Sequence, residues 1–198
     1  EAAAAEASLL TPVLKAFATE QGFSGASRAL QVWGGYGYVR DYGIEQTLRD
    51  SRIAMIYEGT NEIQAIDLVV RMLLGAGAPA FEALLQSLAA DADDSAAGSA
   101  LTEQVDAARA SLASLRQRAE DAEAVLAVAD DFLAGTGYLM LAWAWCVSSR
   151  AAMRSGGDAG FKAERAALAA HGVEWVLPQA AVHWQRVQAG ARLRPVTA

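Results

Sequence analysis

The stretch LRDSRIAMIYEGTNEIQAIDLVVRMLL, residues 48–74, decides the fold class. Leu48, Ile53 and Ile56 give one apolar face before the YEGTN break at 57–61, and Ile63, Ile66, Val69 and Val70 give another after it. Both spacings are helical. Thr60 or Asn61 is placed to cap the second helix by accepting from its free N–H groups. The break itself holds a carboxylate, Glu58, between Tyr57 and Gly59.

A carboxylate in such a break has the parts of a general base. Burial beside an aromatic such as Tyr57 would disfavour its charged form and raise its pKa towards working pH. Gly59 lets backbone approach a ligand closely. The open N–H groups of the break can donate to a carbonyl oxygen that gains charge. The set suits removal of a proton α to a carbonyl. By these residues alone, a solvated glutamate in a helix-cap region is the commoner reading.

Outward from that stretch the chain reads as all-α. More than half of its residues are hydrophobic, much of that fraction is alanine, and proline is scarce. Alanine is the best helix former and adds little core volume. With 198 residues the chain can form one domain or two small helical ones. Helices are expected over 3–20, ended by Gly22, then through SGASRALQVWGG, over about 45–56, over about 62–75 and over 79–90. GGYGYVRDYG, residues 34–43, reads as a loop. DADDSAAGSA, residues 91–100, reads as a linker between a domain at 1–90 and a second at 101–198. The second domain is expected to be an antiparallel helical bundle. TGYLMLAWAWCVSSRAAMRS would be its central core helix, and the last helix would carry a kink near Pro178.

Charge and composition narrow the function classes. A formal charge of −7 offers no basic field to phosphates, so nucleic acid is an unexpected partner. A single cysteine, Cys146, fits a reducing, cytoplasmic compartment and reads as a buried thiol. YLMLAWAWCV is too short a run to span a bilayer, and no signal peptide opens the chain. The start, EAAAAEASLL, reads as the inside of a helix from something longer. Arg49, Asp50 and Arg52 are expected in ion pairs. His171 and His183 are expected on the last helix without a third metal ligand. Trp143, Trp145, Trp175 and Trp184 read as packing residues.

IYEGTNEIQ, preceded by LRDSRI and earlier by QVWGGYGY (residues 31–38), resembles the acyl-CoA dehydrogenase family in order and spacing. The resemblance implies the last helices of that family's C-terminal helical domain, followed by the extra helical domain of a larger subgroup. It further implies FAD-dependent oxidation of an acyl-CoA thioester to trans-2-enoyl-CoA. The family's glutamate takes the α-proton while the β-hydride passes to the flavin, and Glu58 stands at its place. Tyr57 and Gly59 would lie against the substrate. Gln31, Gly34 and Gly35 would contact the FAD of a neighbouring subunit, and Thr60 and Glu62 would contact FAD as well. The resemblance also implies a homodimer or homotetramer, and electron-transferring flavoprotein as electron acceptor. Two other readings stand beside it: a non-catalytic helical oligomerisation module, and a DNA-protecting relative, which the acidic charge opposes.

Overall fold

The computed structural model describes residues 2–190, and among them every regular element is helical, with no strand. α1 (Ala2–Val13) runs through a π-helical turn (Leu14–Ala18) into α2 (Thr19–Val32). Pro12 lies inside α1, and the helix widens into the π turn directly after it. Pro12 removes one N–H from the ladder, so this is a weak point of the helix. Gly22 does not end the helix as the sequence suggested. A helical glycine costs only about 1 kcal/mol relative to alanine, and α2 recovers stability by packing against α4.

The glycine-rich segment is more ordered than a loop. It forms the short α3 (Gly35–Tyr38) and a 3₁₀ turn (Arg40–Tyr42), which lead into α4 (Ile44–Ile53). Gly34 makes this possible, because its φ of 59° and ψ of −143° are open to glycine alone. After the turn at 54–60 come α5 (Asn61–Ile66), continued by a π turn (Asp67–Leu73), and α6 (Ala78–Asp91).

The second half begins earlier than the acidic stretch implied. Ser95 caps α7 (Ala96–Arg116), its hydroxyl accepting from Gly98 N–H at 3.0 Å. α8 (Ala122–Leu126) and α9 (Ala129–Arg154) follow. α10 (Ala159–His171) continues through a π turn (Gly172–Val176), and α11 (Gln179–Ala189) starts at Pro178. His171 and His183 therefore sit on separate helices rather than on one. The helical stretch Ala122–Arg154 is longer than its apolar segment suggested, and by length and composition it could cross a bilayer; 61% of its most apolar window is buried inside the protein.

α9 is the common core element. It packs against α5, α6, α7, α10, α11 and the first π turn. Phe132, in the first turn of α9, is fully buried between Phe81 of α6 at 5.9 Å and Trp184 of α11 at 5.5 Å, the second pair edge-to-face. Cys146 is buried four turns further along α9, and its thiol is pushed up chiefly by desolvation. One apolar cluster runs unbroken from Leu9 through Leu68 and Phe81 to Leu139 and Val187. A second tie joins α6 to α9. The Asp91 carboxylate accepts from Trp143 Nε1 at 2.8 Å and from Arg150 at 2.9 Å. Trp143 first, and then Arg150, hold that carboxyl below its ordinary pKa.

Outside this core stands a nearly bare hairpin. Neither α2 nor α4 has a buried residue, and Val32, Trp33, Tyr36, Tyr38, Ile53 and Ile56 are all about half exposed or more. Their apolar faces match the helical register of the sequence but are not covered by the other described residues.

Phe132→Ala is expected to lower the unfolding free energy by about 3–5 kcal/mol, because a fully buried ring leaves a cavity. Equilibrium urea unfolding measures this, and a loss below about 1 kcal/mol would contradict the packing described.

Candidate active site

Glu58 is the one non-glycine residue with positive φ among the described residues, at 56°, and Gly59 follows at 87°. A left-handed conformation costs a residue with a side chain about 1–2 kcal/mol, so the surroundings must hold it. They do so through both carbonyls of the turn. Gln64 Nε2 donates to Glu58 O at 3.2 Å, and Lys15 Nζ donates to Gly59 O at 2.5 Å. The main chain is closed on either side by Tyr57 N–H to Ile53 O at 3.1 Å and Asn61 N–H to Met55 O at 3.2 Å.

These bonds fix the direction of the N–H groups. In a trans peptide the N–H points opposite to its C=O, and no peptide bond here is cis. The Glu58 carbonyl is turned in to Gln64, so the Gly59 N–H points out. The Gly59 carbonyl is turned in to Lys15, so the Thr60 N–H points out as well. The turn is a cup of outward donors with a carboxylate on its rim.

The base of the cup is bolted to the first π turn. Asn61 Nδ2 donates to Ala16 O at 3.2 Å, and its Oδ1 accepts from Lys15 Nζ at 3.1 Å. The Thr19 hydroxyl lies 3.3 Å from the same oxygen and 2.6 Å from Lys15 O. Thr60 is the N-cap of α5, its Oγ1 accepting from Ile63 N–H at 3.5 Å. Glu62 lies two residues on, in the first turn of α5. The Thr60 hydroxyl, then its own backbone N–H, hold the Glu62 carboxyl below the usual carboxylate range.

Of the two sequence readings of Glu58, burial beside Tyr57 and a solvated position in a helix-cap region, this chain shows the second. Glu58 is exposed, and Tyr57 is 51% exposed. Among the described residues nothing covers that carboxylate, because α4 ends at Ile53 and the turn projects beyond the core. Tyr57, Glu58, Gly59, Thr60 and Glu62 come together at one turn. Gln31, Gly34 and Gly35 lie apart from them, at the exposed end of the α2–α4 hairpin. There Trp33 and Tyr36 pack on Tyr42, with ring centres 5.9 and 5.2 Å apart. Among the described residues Arg52 forms no ion pair; its guanidinium lies 5.6 Å over the Phe23 ring, while Arg49 pairs with Glu45 and Asp50.

Sequence reasoning missed Lys15, Gln64 and the side-chain role of Asn61. Lys15 was visible as a lone cation in the apolar run LLTPVLKAFA. It also missed a cavity of about 550 Å³ on the inner side of Glu62, lined by Asn61, Glu62, Asp130, Asp131, Tyr138 and His183 among others. Asp131 accepts from His183 Nδ1 at 2.7 Å and lies 3.3 Å from Arg186. Among the described residues Asp130 has no such partner. Desolvation, then Glu62 and Asp131, push its carboxyl above the ordinary value.

Two family models divide the chain. Residues 1–74 match the acyl-CoA dehydrogenase C-terminal domain, and residues 78–193 match the acetyl-CoA dehydrogenase C-terminal-like domain. A 3-methylmercaptopropionyl-CoA dehydrogenase of Ruegeria pomeroyi is 32% identical over 193 residues, which is 91% of this chain and 33% of that protein. An acyl-CoA dehydrogenase of Bacillus subtilis is 48% identical over 61 residues, 31% of this chain and 16% of that protein. The mitochondrial isobutyryl-CoA dehydrogenase of Bos taurus is 45% identical over 69 residues, 35% of this chain and 16% of that protein. The chain thus spans a third or less of the length of these relatives.

Asp130 supplies a pH test of the cavity. A carboxyl with a raised folded pKa binds more protons folded than unfolded, so stability falls as pH rises from the ordinary Asp range through the raised value. Asp130→Asn is therefore expected to stabilise the chain at about pH 7, with the gain vanishing near pH ~3. Urea unfolding at the two pH values measures it. Equal stability of the two proteins at neutral pH would contradict the arrangement.

Proposed function

The chain belongs to the acyl-CoA dehydrogenase family, and from that membership we propose that it carries the catalytic base of an FAD-dependent enzyme that oxidises an acyl-CoA thioester to trans-2-enoyl-CoA. The observation that carries the reading is the turn at 57–60: a left-handed Glu58 on the rim of outward backbone donors. In the proposed reaction Glu58 takes the α-proton. The outward backbone N–H groups of the turn donate to the thioester oxygen, which gains negative charge as the α-proton leaves. Tyr57 and Gly59 line the approach of the substrate.

FAD fits the residues proposed for it. Gly34 and Gly35 face open space, where a Cβ would meet no atom within 4 Å, so a flat cofactor can lie against the backbone there. Gln31 beside them is exposed and free to hydrogen-bond. Thr60 and Glu62 would hold it from the turn. When bound, FAD supplies the acceptor for the β-hydride. Electron-transferring flavoprotein is the proposed next acceptor.

The bare α2–α4 hairpin fits this reading, because a cofactor and a neighbouring subunit would cover Val32, Trp33, Tyr36 and Tyr38. On this reading the protein works as a homodimer or homotetramer. The same covering would desolvate Glu58, which stands exposed in this chain. The exposed aromatics also favour a second reading, in which this face serves assembly alone.

Glu58→Gln in the flavin-loaded full-length protein separates the two. The amide keeps shape and loses the base, so flavin reduction by acyl-CoA should slow by roughly 10²–10⁴-fold or more while substrate binding persists. Glu58→Asp should fall between, since its carboxylate is one methylene short of the α-carbon. Stopped-flow flavin bleaching reads both rates. Reduction at the wild-type rate by the Gln variant would remove Glu58 from the mechanism.

A further inference from the structure

Lys15 sits 43 positions before Glu58 and touches no part of its side chain among the hydrogen bonds of the structure. It is nevertheless the one cation among the described residues that hydrogen-bonds the backbone of the turn at 54–60. Its ammonium donates to Gly59 O at 2.5 Å and to Asn61 Oδ1 at 3.1 Å. Lys15 is only part-exposed, and it is presented from the π turn Leu14–Ala18, whose Ala16 carbonyl takes the other end of Asn61. π turns of this kind recur at functional sites because they redirect one side chain or carbonyl out of the regular ladder.

We propose that Lys15 is a positioning residue for Glu58, acting through the Gly59 carbonyl. This rests on the reading of Glu58 as the base. Three consequences follow from the geometry. The ammonium locks the Gly59–Thr60 peptide in the orientation that turns the Thr60 N–H outward. It sets a positive charge against that carbonyl, which polarises the peptide and strengthens its outward N–H as a donor. It also holds the left-handed pair Glu58–Gly59 against relaxation to a right-handed turn, which would swing the carboxylate off its line to the substrate. Gln64 performs the neutral half of the same task at Glu58 O.

The test uses the flavin-loaded full-length protein, with rates expressed per bound flavin so that loss of folded enzyme does not count. Lys15→Met should slow single-turnover flavin reduction by on the order of 10²-fold, the effect of a misplacement of about 1 Å at a reacting group. The acyl-CoA dissociation constant should change little. Lys15→Arg keeps a cationic donor and should recover most of the rate. The penalty of Glu58→Asp should shrink in the Lys15→Met background, since the two residues act as a unit. Should Lys15→Met not fold, Lys15→Gln carries the same comparisons. A wild-type rate per flavin in the Lys15 variant, beside an inactive Glu58→Gln, overturns the role of Lys15 alone. Additive penalties overturn it too, because they describe a distant structural effect. A fully active Glu58→Gln overturns both this assignment and the reading beneath it.

Discussion

Two carbonyl oxygens, those of Glu58 and Gly59, are turned inward and held by Gln64 and Lys15. The rest of the site depends on that constraint. Because the carbonyls face the protein, the N–H groups of Gly59 and Thr60 face away from it. Because the turn is pinned from both sides, Glu58 can remain left-handed, a conformation it would otherwise leave. Asn61 extends the constraint to the core by joining α5 to the first π turn through its side-chain amide. The position of a carboxylate on an exposed turn is thereby tied to helices that pack on α9.

α9 explains why two regions that match separate family models share one core. Phe132 meets Phe81 from the first half and Trp184 from the second, and Phe17 lies edge-to-face on Tyr138 at 5.0 Å. Gly137 has no room for a Cβ, which would lie 2.2 Å from the Phe17 ring. The close approach of the π turn to α9 is what that glycine allows. The cavity beneath Glu62 lies along this same seam, with Asn61 and Glu62 on one side and Asp131, Tyr138 and His183 on the other.

Much of the fold was legible in the sequence, for identifiable reasons. The helices on either side of the turn declare themselves through Ile53, Ile56, Ile63 and Val69, and Thr60 caps the second. The apolar run around Trp143 marked the central helix. Gly22 misled because a glycine punctuates a helix only when nothing beyond it pays to continue, and here α2 continues against α4. The exposure of Glu58 was legible only as the commoner of two readings, since burial depends on surfaces that no local pattern encodes. Lys15 was hidden. A lone lysine in an apolar run reads as a snorkelling side chain until the fold places it beside a carbonyl more than forty residues away. Its partner Asn61 was legible only as a cap candidate, yet its amide spans two elements.

The central claim is that this turn delivers Glu58 to the α-carbon of an acyl-CoA. A crystal structure of the flavin-loaded full-length protein with a bound acyl-CoA tests it most directly. The account predicts a Glu58 carboxylate oxygen about 3–3.5 Å from the α-carbon, with the turn still left-handed at Glu58 and Gly59 and the thioester oxygen on its outward backbone donors. A Glu58 turned to solvent, with a different carboxylate against the α-carbon, would contradict it.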